Sequence, residues 1–167
     1  MQAIVNVTPE WGIGSENRLL VHIRADMRRF RALTTNHTVV IGRKTLLTFP
    51  NRQPLANREN IILSHDPFFQ VDNAIVCRDL LELKSALQGK DPDSVFVCGG
   101  ESIYRLLLPY CSKALVTRTE SDVPADRFFP DLNRDPDWIL TDVGPLEQEG
   151  ETKYRFLEYT NTNPKTL

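Results

Sequence analysis

A carboxylate among apolar neighbours is the feature of this sequence best suited to chemistry. Asp26 lies between Ile23 and Leu33, in a segment whose apolar spacing predicts a helix. At about 100° per residue, Asp26 falls on the same face as Phe30 and Leu33, where a carboxylate is poorly hydrated. Burying it costs free energy unless a partner binds, so Asp26 is a candidate to hold a cationic or protonatable ligand. The alternative is that Asp26 only occupies the first helical turn, where the helix dipole favours negative charge.

A pair of glycines after a strand could let a diphosphate approach the backbone. The apolar run at residues 94–98 is followed by Gly99, Gly100 and a predicted helix. Glycines lack Cβ atoms, so the N–H groups at a helix start can contact phosphate there. A tight turn explains the pair equally well, and the sequence is not the GxGxxG dinucleotide fingerprint.

Two other strand ends carry side chains that could bind anions. Arg43, Lys44 and Thr45 follow one strand directly and place a guanidinium, an ammonium and a hydroxyl in one turn. A solvated basic turn is the alternative. Ser64 and His65 follow another strand. Because ligands of open α/β sheets bind outside the carboxyl ends of the strands, the three ends together favour one extended ligand with several phosphates.

A long connection and an arginine complete the candidate features. Residues 9–22 join the first strand to the helix of Asp26 and carry glycines on both sides of Ile13. Such a segment is either a lid over a site or an irregular loop. Arg58 could pair with a substrate carboxylate through two hydrogen bonds, or it could be an ordinary exposed arginine.

Composition limits the classes of protein to consider. The chain has 167 residues, 41% of them hydrophobic and 25% charged, with a formal net charge of -2. These values favour one globular domain with small-molecule partners and argue against a nucleic-acid or membrane binder. Three widely spaced cysteines and three histidines show neither a disulfide framework nor metal-ligand spacing. With no export signal or long apolar run, we expect a soluble, cytoplasmic monomer without a metal.

Short apolar runs alternate with helical patterns, which predicts an α/β fold with a mostly parallel sheet. Predicted strands lie at residues 3–7, 38–41, 60–63, 74–76, 94–98, 113–117, 138–143 and 153–159, and predicted helices at 24–34, 44–48, 79–87 and 101–108. The last two strands have no helix between them, so we expect an antiparallel hairpin. Residues 1–160 are expected to form the domain, and residues 161–167 a flexible tail.

In their order and spacing, the motifs resemble dihydrofolate reductase over about residues 1–160. They are Trp11-Gly-Ile-Gly-Ser-Glu-Asn17, Ala25-Asp26-Met27 with Phe30, Gly42-Arg-Lys-Thr45, Pro54-Leu55 with Arg58 and Asn60, Leu63-Ser64, Gly99-Gly100 with Ile103-Tyr104, and Ala125-Asp126 with Phe128-Phe-Pro130. The resemblance implies an eight-stranded mixed sheet with flanking helices and a cis peptide at the glycine pair. It also implies NADPH-dependent reduction of 7,8-dihydrofolate to tetrahydrofolate, in support of one-carbon metabolism and thymidylate synthesis.

Roles for individual residues follow from the same resemblance. Asp26 would bind the pterin and promote protonation at N5 while hydride reaches C6, Thr117 would hydrogen-bond Asp26, and Arg58 would hold the glutamate α-carboxylate. The implied substrate contacts are Val5, Asn6, Asp26, Met27, Phe30, Phe49, Leu55, Arg58, Tyr104 and Thr117, with Val5 and Asn6 acting largely through their backbone. The implied cofactor contacts are Asn6, Ile13, Gly14, Leu19, Gly42, Arg43, Lys44, Thr45, Leu63, Ser64, His65, Cys98, Gly99, Gly100, Ser102, Ile103 and Tyr104.

One departure and two alternatives accompany the resemblance. The family usually has Pro-Trp late in the mobile loop, where this chain has Leu20 and Val21, so the tryptophan that helps to position water near the pterin is missing. The related pyrimidine reductase of riboflavin synthesis shares the sheet and the NADPH site, but Asp26 and Arg58 better fit a pterin with a glutamate tail. A non-catalytic nucleotide-binding module would need no Asp26.

Overall fold

Strands and helices alternate along most of the chain in the computed structural model, which describes residues 1–16 and 18–167. The strands are β1 Gln2–Val7, β2 Gly12–Ser15, β3 Arg18–Leu19, β4 Thr38–Gly42, β5 Glu59–Leu63, β6 Ile75–Cys77, β7 Val95–Val97, β8 Lys113–Thr119, β9 Arg127–Phe128, β10 Trp138–Val143, β11 Glu147–Glu149 and β12 Thr152–Asn161. The α-helices are α1 Arg24–Thr34, α2 Arg43–Leu46, α3 Leu80–Leu87 and α4 Glu101–Leu107. Short 3-10 turns lie at Pro50–Arg52, Pro92–Ser94, Leu108–Tyr110 and Leu132–Arg134.

The main sheet is mixed and mostly parallel, as the sequence predicts. Its strands lie in the order β10-β12-β8-β1-β7-β4-β5-β6. The six strands from β8 to β6 are parallel neighbours, whereas β12 runs antiparallel to both β8 and β10. The predicted eight-stranded sheet and its C-terminal antiparallel hairpin are therefore confirmed, and predicted element bounds agree within two residues.

The connection inside that hairpin contains a strand that the sequence pattern did not predict. β11 pairs antiparallel with the start of β12, Glu147 opposite Tyr154 and Glu149 opposite Thr152. Gly150 makes the intervening tight turn with φ of +60°, a conformation that glycine adopts without strain. The side chain of Gln148 donates to the Gly150 carbonyl at 2.8 Å. The polar composition of this stretch hides its pairing, because β11 is largely exposed and has no apolar periodicity of its own.

A second, three-stranded sheet orders part of the long connection after β1. Its strand order is β3-β2-β9, and all pairs are antiparallel. The Phe129 N–H also donates to the Trp11 carbonyl at 2.8 Å, and the Asp126 N–H to the Gly14 carbonyl at 2.9 Å. The expected irregular or lid segment at residues 9–22 thus contains a hairpin that is paired with a segment more than a hundred residues away. Asn17 lies outside the described residues.

The central strands are buried on both faces, which explains their continuous apolar runs. Val39, Val40, Ile41, Ile61 and Ile62 have no exposed surface. Helix α1 covers one face of the sheet: the half-buried Phe30, Leu33 and Leu55 pack there against Ile4, Val39, Phe96 and Leu115. The sheet is therefore a rigid platform on which α1 and the strand ends can place functional groups.

The C-terminal residues contact the rest of the domain. The Thr162 N–H donates to the Asp137 carbonyl at 2.7 Å, and the Lys165 N–H to the Pro109 carbonyl at 2.8 Å. Leu167 packs partly against the core. None of the helices in the described part of the chain is long and apolar enough to cross a membrane.

Candidate active site

The carboxylate of Asp26 is held by side chains from the adjacent strands β1 and β8. Thr117 on β8 donates its hydroxyl to Asp26 Oδ1 at 2.5 Å, and Asn6 on β1 donates its amide to Oδ2 at 3.1 Å. Asn6 and Thr117 are paired in register, so both reach α1 from one place on the sheet. An ionised carboxylate has about four acceptor positions. Among the residues that the structure describes, each oxygen therefore keeps one free position, which suits a ligand with two adjacent N–H donors.

A buried threonine fixes the orientation of the Asn6 side chain. Thr119, fully buried on β8, donates its hydroxyl to Asn6 Oδ1 at 2.7 Å, which turns the amide nitrogen toward Asp26. The resemblance implied contacts from Asn6 mainly through its backbone, and its side chain has this additional role. A signal was present in the sequence: Thr117 and Thr119 are two apart on one strand, so both face the same side of the sheet.

A cation, the guanidinium of Arg29 on α1, also lies near the carboxylate. The Arg29 guanidinium stacks on the Phe156 ring, with 4.2 Å between Cζ and the ring centroid. Burial lowers the pKa of Arg29, whereas the negative charge of Asp26 acts to raise it. Phe156 lies opposite Thr117 in the β12 and β8 pairing, so the stack is beside the Asp26 hydrogen bonds.

The start of α1 is capped by a residue from a distant strand. Ile23 precedes the helix and makes no side-chain cap. Instead the Glu149 carboxylate on β11 accepts from the Arg24 N–H at 2.8 Å and from the Ala25 N–H at 3.2 Å. These backbone hydrogen bonds lower the pKa of Glu149. The unpredicted strand β11 therefore fixes the end of α1 that carries Asp26.

The predicted carboxylate-binding arginine, Arg58, precedes β5 and lies beside the other end of α1. Arg58 donates from Nε to Thr34 Oγ1 at 3.1 Å and from Nη1 to the Ala56 carbonyl at 2.8 Å. Burial lowers the pKa of Arg58, and the neighbouring Arg31 adds to that effect. Asp26 and Thr34 are eight residues apart, or about 12 Å at the rise of an α-helix. A ligand bound by both Asp26 and Arg58 must span a comparable distance.

Apolar side chains lie between these two ends. The half-buried Phe30 and Leu55 pack against the sheet beneath α1, and Phe49 packs against the neighbouring cluster of Ile41 and Ile62. Met27 is 57% exposed and stands on the open side of the helix. A flat apolar ligand can therefore contact this surface while its polar ends meet Asp26 and Arg58.

The ends of β4 and β7 approach each other closely at the predicted glycines. The Gly42 N–H donates to the Gly99 carbonyl at 2.8 Å, and the peptide between Gly99 and Gly100 is cis, which confirms that prediction. A Cβ on Gly42 would lie 2.9 Å from Ile103 Cγ1, and one on Gly100 would lie 3.2 Å from Thr45 Oγ1. Larger residues would fill this cradle, so its backbone is open to a ligand only because the positions are glycine.

The predicted anion-binding side chains gather at this same edge of the sheet. We call Arg43, Lys44, Thr45, Ser64 and His65 the donor cluster; they follow the parallel, adjacent strands β4 and β5. With the glycine cradle beside it, this set of cationic and hydroxyl donors fits a ligand with several phosphates. The structure adds an acidic member: Asp66 Oδ2 accepts from Arg43 Nη1 at 3.0 Å.

The remaining predicted site residues differ in exposure. Tyr104 is buried and donates its hydroxyl to the Ile4 carbonyl at 2.7 Å, and burial raises its pKa. Burial also raises the pKa of the Cys98 thiol, near the start of α4. Val5, Leu63 and Ile103 are buried, Ile13 and Gly14 are half-buried on β2, and Leu19 and Ser102 are exposed.

Fold and site together define a class of α/β protein in which a sheet-anchored carboxylate accompanies a sheet edge rich in cationic and hydroxyl donors. A family model described as dihydrofolate reductase matches residues 1–161. The chain belongs to the dihydrofolate reductase family and is an oxidoreductase.

Several curated relatives carry the same name over nearly their whole length. Dihydrofolate reductase of Bacillus subtilis strain 168 is 29% identical over 153 residues, covering 90% of this chain and 88% of the relative. The enzyme of Staphylococcus aureus strain Mu50 is 30% identical over 147 residues, covering 87% of each chain. That of Staphylococcus haemolyticus is 31% identical over 150 residues, covering 88% of this chain and 87% of the relative.

Proposed function

We propose that this protein reduces 7,8-dihydrofolate to tetrahydrofolate with NADPH. The observation that carries the proposal is the position of Asp26, which Thr117 and Asn6 hold while each carboxylate oxygen keeps a free acceptor position. A pterin ring presents two adjacent N–H donors, at N3 and the 2-amino group, that match these positions. The product would supply one-carbon metabolism and thymidylate synthesis, and we infer a cytoplasmic monomer.

Asp26 would promote the protonation of N5 and would take no direct part in the transfer of the hydride to C6. The nicotinamide of NADPH would supply the hydride for C6, so the C6–N5 double bond would become single and N5 would take a proton from solvent. The ionised carboxylate stabilises the positive charge that the ring gains when N5 is protonated. Thr117 and Asn6 keep that charge in place, so the protein favours the cationic acceptor without a covalent intermediate.

Arg58 would bind the glutamate end of the substrate. Its guanidinium is oriented by Thr34 and Ala56, so less conformational freedom is lost when a carboxylate binds. The separation of about 12 Å along α1 leaves room for a benzoyl spacer between pterin and glutamate. The exposed apolar edge of Met27 and the half-buried Phe30 would contact that spacer.

The donor cluster and the glycine cradle would hold the phosphates of NADPH. Gly99 and Gly100 lie where the backbone can approach the diphosphate, and Arg43 and Lys44 supply the charge for the adenosine 2′-phosphate. The long connection with Ile13 and Gly14 would close over the nicotinamide. The phosphate assignments rest on residues from strand ends that meet at one edge of the main sheet.

The test is to follow NADPH oxidation by the purified protein after dihydrofolate is added. We expect turnover with dihydrofolate and none with the pyrimidine substrate of riboflavin synthesis. Oxidation with the pyrimidine alone would assign the protein to that other reductase. Binding of NADPH without turnover of either substrate would instead support a non-catalytic nucleotide-binding module.

A further inference from the structure

We propose that Asp66 is a specificity-determining residue that reduces the preference of this protein for NADPH over NADH. The inference rests on the proposed function, because it concerns which nicotinamide cofactor the reductase accepts. The observation behind it is that Asp66, an acidic side chain, contacts the donor cluster, whose other members are suited to bind an anion.

Asp66 forms an ion pair with the arginine best placed to bind a 2′-phosphate. Arg43 Nη1 and Asp66 Oδ2 are 3.0 Å apart. Arg43 begins α2 directly after β4, and Asp66 follows Ser64 and His65 at the end of the neighbouring strand β5. Both side chains are 40% exposed, so the pair lies open to an incoming ligand.

The carboxylate of Asp66 is held in position by its own turn. Its Oδ1 accepts from the Phe68 N–H at 2.9 Å, and its backbone N–H donates to Ser64 Oγ at 3.3 Å. Arg78 Nη2 donates to the Phe69 carbonyl at 3.0 Å and so ties the same turn to the end of β6. Asp66 therefore cannot move away from Arg43 without losing hydrogen bonds that shape this connection.

Arg43 is also constrained near Asp66. Its Cζ lies 5.7 Å from the centroid of the Phe69 ring, which belongs to the turn that Asp66 begins. A phosphate that binds Arg43 must share the guanidinium with Asp66 or displace it. In either case a phosphate dianion comes near a fixed negative charge, which is unfavourable.

NADH would interact differently with Asp66. It carries a 2′-hydroxyl where NADPH carries a phosphate, and a hydroxyl can donate to a carboxylate. Acidic side chains bind the ribose hydroxyls of NAD in the same way in other α/β folds. Asp66 thus opposes one cofactor and offers a hydrogen bond to the other, while Arg43 and Lys44 still attract the phosphate.

The experiment measures dissociation constants for NADPH and NADH by calorimetry, without turnover, in the wild-type protein and Asp66→Asn. Asparagine keeps the size and the acceptor for Phe68 but removes the charge. We expect the ratio of the NADH to the NADPH dissociation constant to rise by about three- to tenfold, the range for a partly screened charge interaction. Asp72→Asn removes the same charge from an exposed position in the same connection and is the matched control.

A double variant separates the ion pair from other effects. In the background of Arg43→Gln, the change in the ratio on Asp66→Asn reports only the direct effect of the Asp66 charge on the cofactor, and the difference from its effect in the wild type measures the competition for Arg43. An unchanged ratio in Asp66→Asn, or an equal change in Asp72→Asn, would overturn the inference. If the wild-type protein binds neither cofactor, the proposed function itself fails instead. Thermal unfolding of each variant confirms that the proteins compared are folded.

Discussion

The free acceptor positions of Asp26 depend on a short chain of side chains. Thr119 donates to Asn6, and Asn6 donates to Asp26, so the carboxylate is oriented from the interior of the sheet. Thr117 provides the second donor. A carboxylate held by two donors binds a planar ligand in one orientation, which matters for a reaction that needs ring alignment.

Thr119→Val tests that chain with little change in volume. The variant loses the donor that orients the Asn6 amide, so we expect kcat with dihydrofolate to fall by about fivefold, the equivalent of roughly 1 kcal/mol for one hydrogen bond. Asn6→Ala should have a similar or larger effect. The dissociation constant of NADPH should stay unchanged in both. Thr141→Val, on the exposed strand β10, is the control. Equal kcat values in all four proteins would show that Asp26 needs no such support.

Arg58→Ala should weaken folate binding selectively. Loss of a charged hydrogen bond costs about 1.5 to 3 kcal/mol, which is roughly a ten- to hundredfold rise in the dissociation constant. Arg58→Lys should recover only part of the loss, since an ammonium cannot make the two parallel hydrogen bonds of a guanidinium. Equilibrium binding of folate in each variant is the measurement. Because Arg58 also contacts Thr34, thermal unfolding must be recorded alongside. Wild-type affinity in a folded Arg58→Ala protein would exclude the assigned role.

Individual residues differ in how far their sequence context reveals them. Asp26 stands out because helical periodicity places it beside Phe30 and Leu33. Arg29 and Asp66 could not be assigned in the same way, because their partners Phe156 and Arg43 come from other elements. A local pattern records the type of a side chain, but it does not record which distant group lies opposite.

At the scale of elements, helix α1 depends on strand β11 for its N-terminal cap. The first backbone N–H groups of a helix need acceptors, and Ile23 supplies none from its side chain. The two carboxylate oxygens of Glu149, on the distant strand β11, accept from the Arg24 and Ala25 N–H groups. The orientation of the helix that carries Asp26 is thereby linked to the turn at Gly150.

Glu149→Gln should lower the thermal unfolding temperature, and the loss should depend on pH. The pKa of Glu149 is lowered in the folded state, so its ionised form stabilises the protein at every pH above the ordinary glutamate value of about 4.3. This stabilisation disappears as the pH falls through the lower pKa of the folded state. The difference in unfolding temperature between wild type and variant should therefore be constant near neutrality and vanish in acid. Glu151→Gln, an exposed neighbour, is the control. A difference that persists in strong acid would contradict the capping role.

The strands of the parallel array and the α-helices were predictable from the sequence, whereas four short strands were not. The central strands are continuous apolar runs because helices or loops cover both faces, and α1 has clear helical spacing. Strands β2, β3, β9 and β11 have two to four residues each; β3, β9 and β11 are largely exposed, and β2 is mostly half-buried. Pairing with distant segments, rather than their own periodicity, makes them strands.

At the scale of the whole molecule, the sheet brings the two parts of the site together. Strands β1 and β8 place the donors for Asp26, while β4, β5 and β7 end at the edge with the donor cluster and the glycine cradle. These strands are neighbours in one parallel array, so the two ligands of a transfer reaction can meet on a common rigid surface. The alternation of strands and helices predicted this arrangement, because such connections produce parallel neighbours.

The kinetic behaviour of Asp26→Asn tests most directly whether the carboxylate promotes the reduction of dihydrofolate. Asparagine keeps the shape of the side chain but removes the charge that favours protonation of N5. We expect the hydride-transfer rate at neutral pH, measured in a single turnover with saturating NADPH and dihydrofolate, to fall by at least about a hundredfold. The dissociation constant of NADPH should stay at its wild-type value. Hydride transfer at the wild-type rate, or an equal loss of NADPH affinity, would contradict the role assigned to the carboxylate.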